Sequence, residues 1–254
     1  HKEDGEFLYP ENERMYAVGL AELLVNGPNR GVRVFRQLAR DYPNDMQAQL
    51  FSSYLSRGGY NALGNPRVSQ RESVERVQQI VAQHPEHMMA LNFLIKLQAE
   101  APFRAVDFKQ DLLPAAQKLV RLSEGQVATW QSLLGYVAWR AGEPELAEKA
   151  FRESVSLYQQ WKQNNNIDFA DSEGLIRTQL FLVNLLQEQG RSAEALALSK
   201  EINSYKVADG RERSTGALAL KWNAGLMETK LHMEAGDYQK AKAALPKLPK
   251  VKKL

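Results

Sequence analysis

The sequence predicts an all-α chain in which about six antiparallel helical hairpins follow one another. Three observations carry this expectation. Apolar residues recur at helical spacing over nearly all of residues 11–246, as in Leu133, Leu134, Val137 and Ala138, then Leu146, Ala147, Ala150, Phe151 and Val155. Proline or glycine punctuates the stripes at long, similar intervals: 42 residues from Pro43 to Pro85, 48 from Gly142 to Gly190, and 46 from Gly190 to Gly236. No run of strict alternation is bounded by turn dipeptides, so strands are hard to place.

Residues 1–10 lack a helical period and read as an arm. Met15, Val18, Leu20, Leu23 and Leu24 then form a stripe that breaks at Asn26-Gly27-Pro28. Val32, Val34, Phe35 and Leu38 form the next. It closes at Tyr42-Pro43, because proline pushes its predecessor out of the helical region. Asp45 to Arg57 carries Leu50, Phe51, Tyr54 and Leu55 up to Gly58-Gly59. A long loop is expected over 60–68. Ser69-x-x-Glu72 is a capping box for a helix with Val74, Val77, Ile80 and Val81, which ends at His84-Pro85. Met88 to Leu97 is strongly apolar, Ala101-Pro102 breaks it, and a further helix is expected from about Phe108 to Leu122.

The clearest hairpin runs from Trp130 to Leu157. Gly142 ends its first helix, since glycine takes the left-handed cap without steric cost, and Pro144 suits the first turn of the second. Gln163–Asp171 is polar and turn-rich, and Asp171 or Ser172 caps the helix of Leu180, Phe181, Val183, Leu185 and Leu186 that runs to Gly190. Ala195 follows Gly190 by five residues, as Ala147 follows Gly142; Ala241 follows Gly236 likewise, with Leu245 where Phe151 stands. In the first half, Pro43 and Pro85 lie eight residues after Phe35 and Val77. No such hairpin hides its apolar sides alone, so each must lie against the next. Lys247, Lys250, Lys252 and Lys253 form a basic tail, 247–254, kept from helix by Pro246 and Pro249.

Leu134-Gly135, the turn at Gly142 and Ala147-x3-Phe151 together resemble a tetratricopeptide (TPR) unit. Trp130 stands one residue early for that pattern, Ala138 takes its tyrosine slot, and no proline closes the unit. The spacings exceed the TPR period of about 34 and approach the roughly 40–47 of HEAT or armadillo units. Longer helices and the loops at 60–68 and 163–171 absorb the excess. The resemblance implies a right-handed α-solenoid whose first helices line a concave groove holding an extended peptide or a partner helix. Carried over by alignment on the turn glycines, it implies that Tyr136 and Trp139 face the groove beside Ser132. Arg177, Asn184 and Gln187 would do so beside Leu180, and Asn223 and Lys230 beside Leu226 and Met233. Counting on from Pro85 adds Asn92 and Lys96. Asparagine both donates to and accepts from a peptide backbone, arginine and lysine meet anions, and the aromatic pair offers rigid contact area. The competing reading packs Trp139 against the next hairpin and turns Asn184 to a local cap or to water.

Other chemistry finds little support. A net charge of +3 gives no reason to expect nucleic acid, and no apolar run approaches a membrane span of about 20 residues. The absence of cysteine removes disulfides and thiolate chemistry. His84-Pro85-Glu86-His87 has proline where a helix would have to align both rings, so a solvated turn is the better reading than a metal pair. Asn164-x-Asn166-x-Asp168 opens like a calcium loop, but Phe169 and Leu175 stand where glycine and glutamate are needed. No phosphate loop, dinucleotide fingerprint or serine elbow occurs. No cofactor or metal is expected. The start at His1 instead of methionine slightly favours a removed leader and an exported or periplasmic location. The expected function is a non-enzymatic scaffold or adaptor for a protein or peptide. The alternatives are a structural subunit of a larger assembly, which would use its edges, and an all-helical enzyme.

Overall fold

Helices form where the apolar stripes run. The structure, a computed structural model, describes residues 11–26, 28–55, 70–99, 106–165, 171–205 and 215–246. The expected arm, the whole 60–68 loop with the Ser69 cap that follows it, and the basic tail lie outside these. Among the described residues there are α1 (Glu11–Asn26), α2 (Pro28–Asp41), α3 (Met46–Leu55), α4 (Gln70–Gln83), α5 (Met88–Ala99) and α6 (Leu113–Leu122). They continue with α7 (Ala128–Arg140), α8 (Pro144–Asn165), α9 (Asp171–Glu188), α10 (Ser192–Ser204), α11 (Thr215–Glu234) and α12 (Tyr238–Ala244). No strand occurs among them, so the all-α expectation holds. No described helix is long and apolar enough to cross a membrane. The chain divides into two compact units, His1–Asp107 and Phe108–Leu254.

In the first unit each helix from α2 to α5 packs on the one before it, and α3 also meets α5. Phe35, Leu38 and Ala48 form one buried cluster; Leu50, Val74, Val77, Ala90, Phe93 and Leu97 form another. Rings join them. Phe35 stacks on Phe51 at 4.9 Å, Phe51 meets Phe93 edge-on at 5.4 Å, and Tyr54 stacks on Phe93 at 3.8 Å. A Cβ on Gly19 would come within 2.9 Å of the Phe35 ring, so the helices close only because that position is bare. The histidine pair has a structural role: His87 Nδ1 accepts the Ala90 N–H at 3.1 Å and caps α5, while His84 is exposed. Among the described residues no group of three or more His, Asp or Glu is placed to hold a metal.

In the second unit the helices again pack in order from α6 to α12, and α9 also touches both α7 and α11. The expected helix from Phe108 starts instead as a π-helical turn, Phe108–Leu112. Pro114 stands in the first turn of α6. It has no N–H to give and its ring crowds the carbonyl four residues back, so the chain widens there. α8 runs to Asn165, three residues into the stretch expected as loop.

Three turns repeat. Gly142, Gly190 and Gly236 have φ of +76°, +75° and +77°. After each, an N–H returns to the carbonyl five residues earlier: Glu143 to Ala138 at 2.9 Å, Arg191 to Leu186 at 2.8 Å, and Asp237 to His232 at 2.9 Å. Ala147, Ala195 and Ala241 are buried as their common offset requires. Sixteen residues separate Gly19 from Phe35 and Gly135 from Phe151. A Cβ on Gly135 would sit 2.5 Å from the Phe151 ring. In the next hairpin the same two slots hold Val183 and Ser199, both fully buried, so bulk has moved from one helix to the other. Leu245 does not repeat Phe151: it lies past the seven-residue α12 and is exposed.

Charges also tie α8 to the start of α10. Glu148 binds Arg191 at 2.6 Å and Arg152 at 2.8 Å, and Glu194 binds Arg191 at 2.7 Å. Glu148 is the least exposed of the four, at 18%. Burial works to raise its pKa, but hydrogen bonds from Arg191 and Arg152 outweigh burial and hold the carboxyl below the ordinary glutamate value.

Three outcomes follow from this geometry. Gly135→Ala should lose about 1–3 kcal/mol through overpacking, read by urea unfolding, and recover part of it when Phe151→Leu is added. Gly142→Ala should lose about 1–2 kcal/mol from left-handed strain, with no relief from Phe151→Leu. Because Glu148 is depressed in the folded state, its contribution is present above the unfolded-state value and is lost as pH falls through the folded-state value. The gap in melting temperature between the native chain and Glu148→Gln should therefore be widest near pH 7 and close as pH drops below about 4.5.

Candidate functional site: the leading-helix face of the second unit

The leading helices of the glycine-turn hairpins, α7, α9 and α11, lie side by side because α9 touches both neighbours. Residues three before each turn glycine are Trp139, Gln187 and Met233; residues two before are Arg140, Glu188 and Glu234. The packing joins the first position of one hairpin to the second position of the next. Trp139 Nε1–H donates to Glu188 Oε2 at 2.7 Å, and Gln187 Nε2–H donates to both Glu234 oxygens at 3.1 Å. Lys230 Nζ stands 3.8 Å from Glu234 Oε1 and extends the row.

Beside the row is a ring cluster centred on Phe181. Tyr136 lies 5.3 Å away, Phe151 5.8 Å and Trp139 6.3 Å, centroid to centroid. Tyr136 OH accepts from Arg140 Nη1 at 3.1 Å, and the Arg140 guanidinium lies 4.8 Å over Phe108. Ser132 and Thr178 hydroxyls are hydrogen-bonded at 2.8 Å, a further link from α7 to α9. Tyr136 and Trp139 are thus half-buried against the next hairpin.

The remaining expected residues fall into three groups. Arg177, Asn223 and Lys230 are exposed, with Arg177 paired to Glu173 one turn earlier at 2.7 Å. Asn184 and Gln187 are half-buried, and Asn184 Nδ2–H returns to the Leu180 carbonyl at 2.8 Å. In the first unit, Asn92 lies buried on α5 at 4% exposure, its Oδ1 without a donor among the described residues, and Lys96 is half-buried. Leu180 is buried, whereas Leu226 and Met233, one hairpin on, are exposed. Phe181, Glu188 and Glu234 complete the arrangement and were not singled out by sequence. Their signal was available: both glutamates stand two residues before a turn glycine.

No family model matches the chain, and no curated protein does. Solved structures do. TTC0263, a thermophilic TPR protein of Thermus thermophilus, is 18% identical with a TM-score of 0.53, over 82% of this chain and 99% of that one. MamA 41-end from Desulfovibrio magneticus RS-1 is 16% identical with a TM-score of 0.52, over 81% of this chain and 98% of that one. The fold is a TPR-like helical repeat.

The clasp between α7 and α9 can be weighed directly. A double-mutant cycle of Trp139→Phe and Glu188→Gln, followed by urea unfolding, should give a coupling of about 0.5–1.5 kcal/mol. Additive effects would mean that the 2.7 Å bond contributes nothing to the stack.

Proposed function

We propose that this TPR-like chain is a non-enzymatic scaffold whose protein partner, an extended peptide or a helix, lies along α7, α9 and α11. One observation carries the reading: α9 and α11 expose Arg177, Asn223 and Lys230, while Tyr136, Trp139 and Gln187 on α7 and α9 are half-buried. Among the described residues, the two cations are engaged within their own helices, by Glu173 and Glu234. Such surface pairs hold about 0.3–0.5 kcal/mol each, so they exchange readily for a partner carboxylate. The half-buried set is fixed by bonds to the next hairpin, which lowers the ordering cost of contact. Asn223 supplies a donor and an acceptor for a peptide backbone. This is a contact surface for an acidic segment, with hydrogen bonds suited to recognition and not to proton transfer.

A second reading is favoured by the other end of the unit. Trp222, Leu226, Met233, Tyr238 and Leu245, all on or beside α11 and α12, are exposed. At the positions of Leu226 and Met233, the two earlier leading helices carry Ser132, Trp139, Leu180 and Gln187, which are half-buried or buried. Exposed apolar groups clustered on one hairpin call for a cover. A subunit with an apolar helix would supply that cover.

Selection of random displayed peptides on the whole chain, then anisotropy titration of the enriched ones, separates the readings. Enriched peptides should be acidic and lose about tenfold or more in affinity on Arg177→Ala/Asn223→Ala/Lys230→Ala, with the melting temperature nearly unchanged. Loss confined to Leu226→Asp/Met233→Asp would move the partner to the end hairpin. Equal affinity for all three proteins would sink both.

A further inference from the structure

On the opposite side of α9 from the row just described, the trailing helices α8 and α10 flank a cleft of about 430 Å³. Its lining is mixed: Leu182 and Leu186 of α9 with Ala197 and Leu198 of α10 give an aliphatic wall, while α8 brings Val155 together with the polar Ser156 and Gln159. Its two ends differ in charge. At one end Arg152 and Glu194 face each other at 3.4 Å and are further balanced by Arg191 and Glu148. About 10 Å along α10, two helical turns on, stands Glu201.

Glu201 has only neutral donors. Gln179 Nε2–H reaches its Oε1 at 3.0 Å, and Tyr205 O–H reaches the same oxygen at 2.8 Å. The Tyr205 phenol, pushed up to about 12 by burial and by its bond to Glu201, stays a neutral donor across the physiological range. Lys221 directs its ammonium to the Tyr205 carbonyl at 2.5 Å. Among the described residues, no cation pairs with Glu201.

The floor beside it is Gln179, which is fully buried. Both of its amide donor contacts are made, to Glu201 and to Tyr205 at 3.1 Å, yet among the described residues its Oε1 meets no donor. A buried carbonyl oxygen left without a partner costs about 1–3 kcal/mol, and such groups are rare in folded proteins. One aliphatic wall, a carboxylate without a counter-charge and an acceptor without a donor share one complement.

From this geometry we propose that the α8–α10 cleft binds a primary ammonium on an unbranched aliphatic stem, with the ammonium between Gln179 Oε1 and Glu201 and the stem along Leu182, Leu186 and Leu198. A lysine side chain of another protein and a free alkylamine share this chemistry. The site is independent of the α7–α9–α11 face, and neither stands or falls with the other.

The test is a titration of the isotopically labelled whole chain with pentylamine, pentanol and N-acetyl-lysine-N-methylamide, read from the Gln179 side-chain amide resonances. Pentylamine should shift them saturably, and pentanol, equal in stem but uncharged, should bind at least tenfold more weakly. Glu201→Gln, a change at the exposed rim, should cost pentylamine at least tenfold in affinity while leaving the melting temperature and the pentanol response in place. Tighter binding of the lysine amide than of pentylamine supports a protein-borne lysine; the reverse order supports a free amine. Equal response to pentylamine and pentanol, or binding indifferent to Glu201→Gln, overturns the proposal.

Discussion

The second unit depends on a turn that only a left-handed residue closes. At Gly142, Gly190 and Gly236 the chain reverses with one N–H returned to the carbonyl five residues before it. That closure fixes where the trailing helix starts, and so which alanine, at an offset of five, can slide into the crevice of the hairpin. With the helices so set, the last turn of each leading helix points at its neighbour. The bonds from Trp139 to Glu188 and from Gln187 to Glu234 are therefore products of the turn as much as of the residues that make them.

Much of this was legible in the sequence, for identifiable reasons. Apolar spacing located the helices because burial, not intrinsic propensity, sustains them. Turn glycines showed themselves because a left-handed φ excludes most other residues. The π-helical turn at Phe108–Leu112 was hidden, since Pro114 reads equally well as an ordinary first-turn proline. The fate of Leu245 was hidden for another reason: its offset from Gly236 matches Phe151, but α12 stops at Ala244 before that offset can place it.

The candidate face was legible by position and opaque by role. Alignment on the turn glycines puts Trp139 and Gln187 at the same offset from their turns, but their bonding partners belong to the following hairpin. Contacts some 47–49 residues away are invisible to local periodicity. Asn92 shows the complementary failure. Counting from a proline is less secure than counting from a glycine, and the side chain lies in the interior. The Gln179–Glu201–Tyr205 group had no sequence signature, because its chemistry arises from what is left over after hydrogen bonds are shared out.

The exchange of Gly135 and Phe151 for Val183 and Ser199 bears on how such a chain can change over time. Two helices of one hairpin are matched as a couple: a bare groove against a ring, or a branched aliphatic against a hydroxymethyl. Cutting and rejoining between whole hairpins preserves every couple. A crossover inside a hairpin would set Gly135 opposite Ser199 and leave a void, or Val183 opposite Phe151 and force a collision. The natural seams of this molecule for duplication, loss or grafting therefore lie before α7, α9 and α11, and not at the conspicuous glycines.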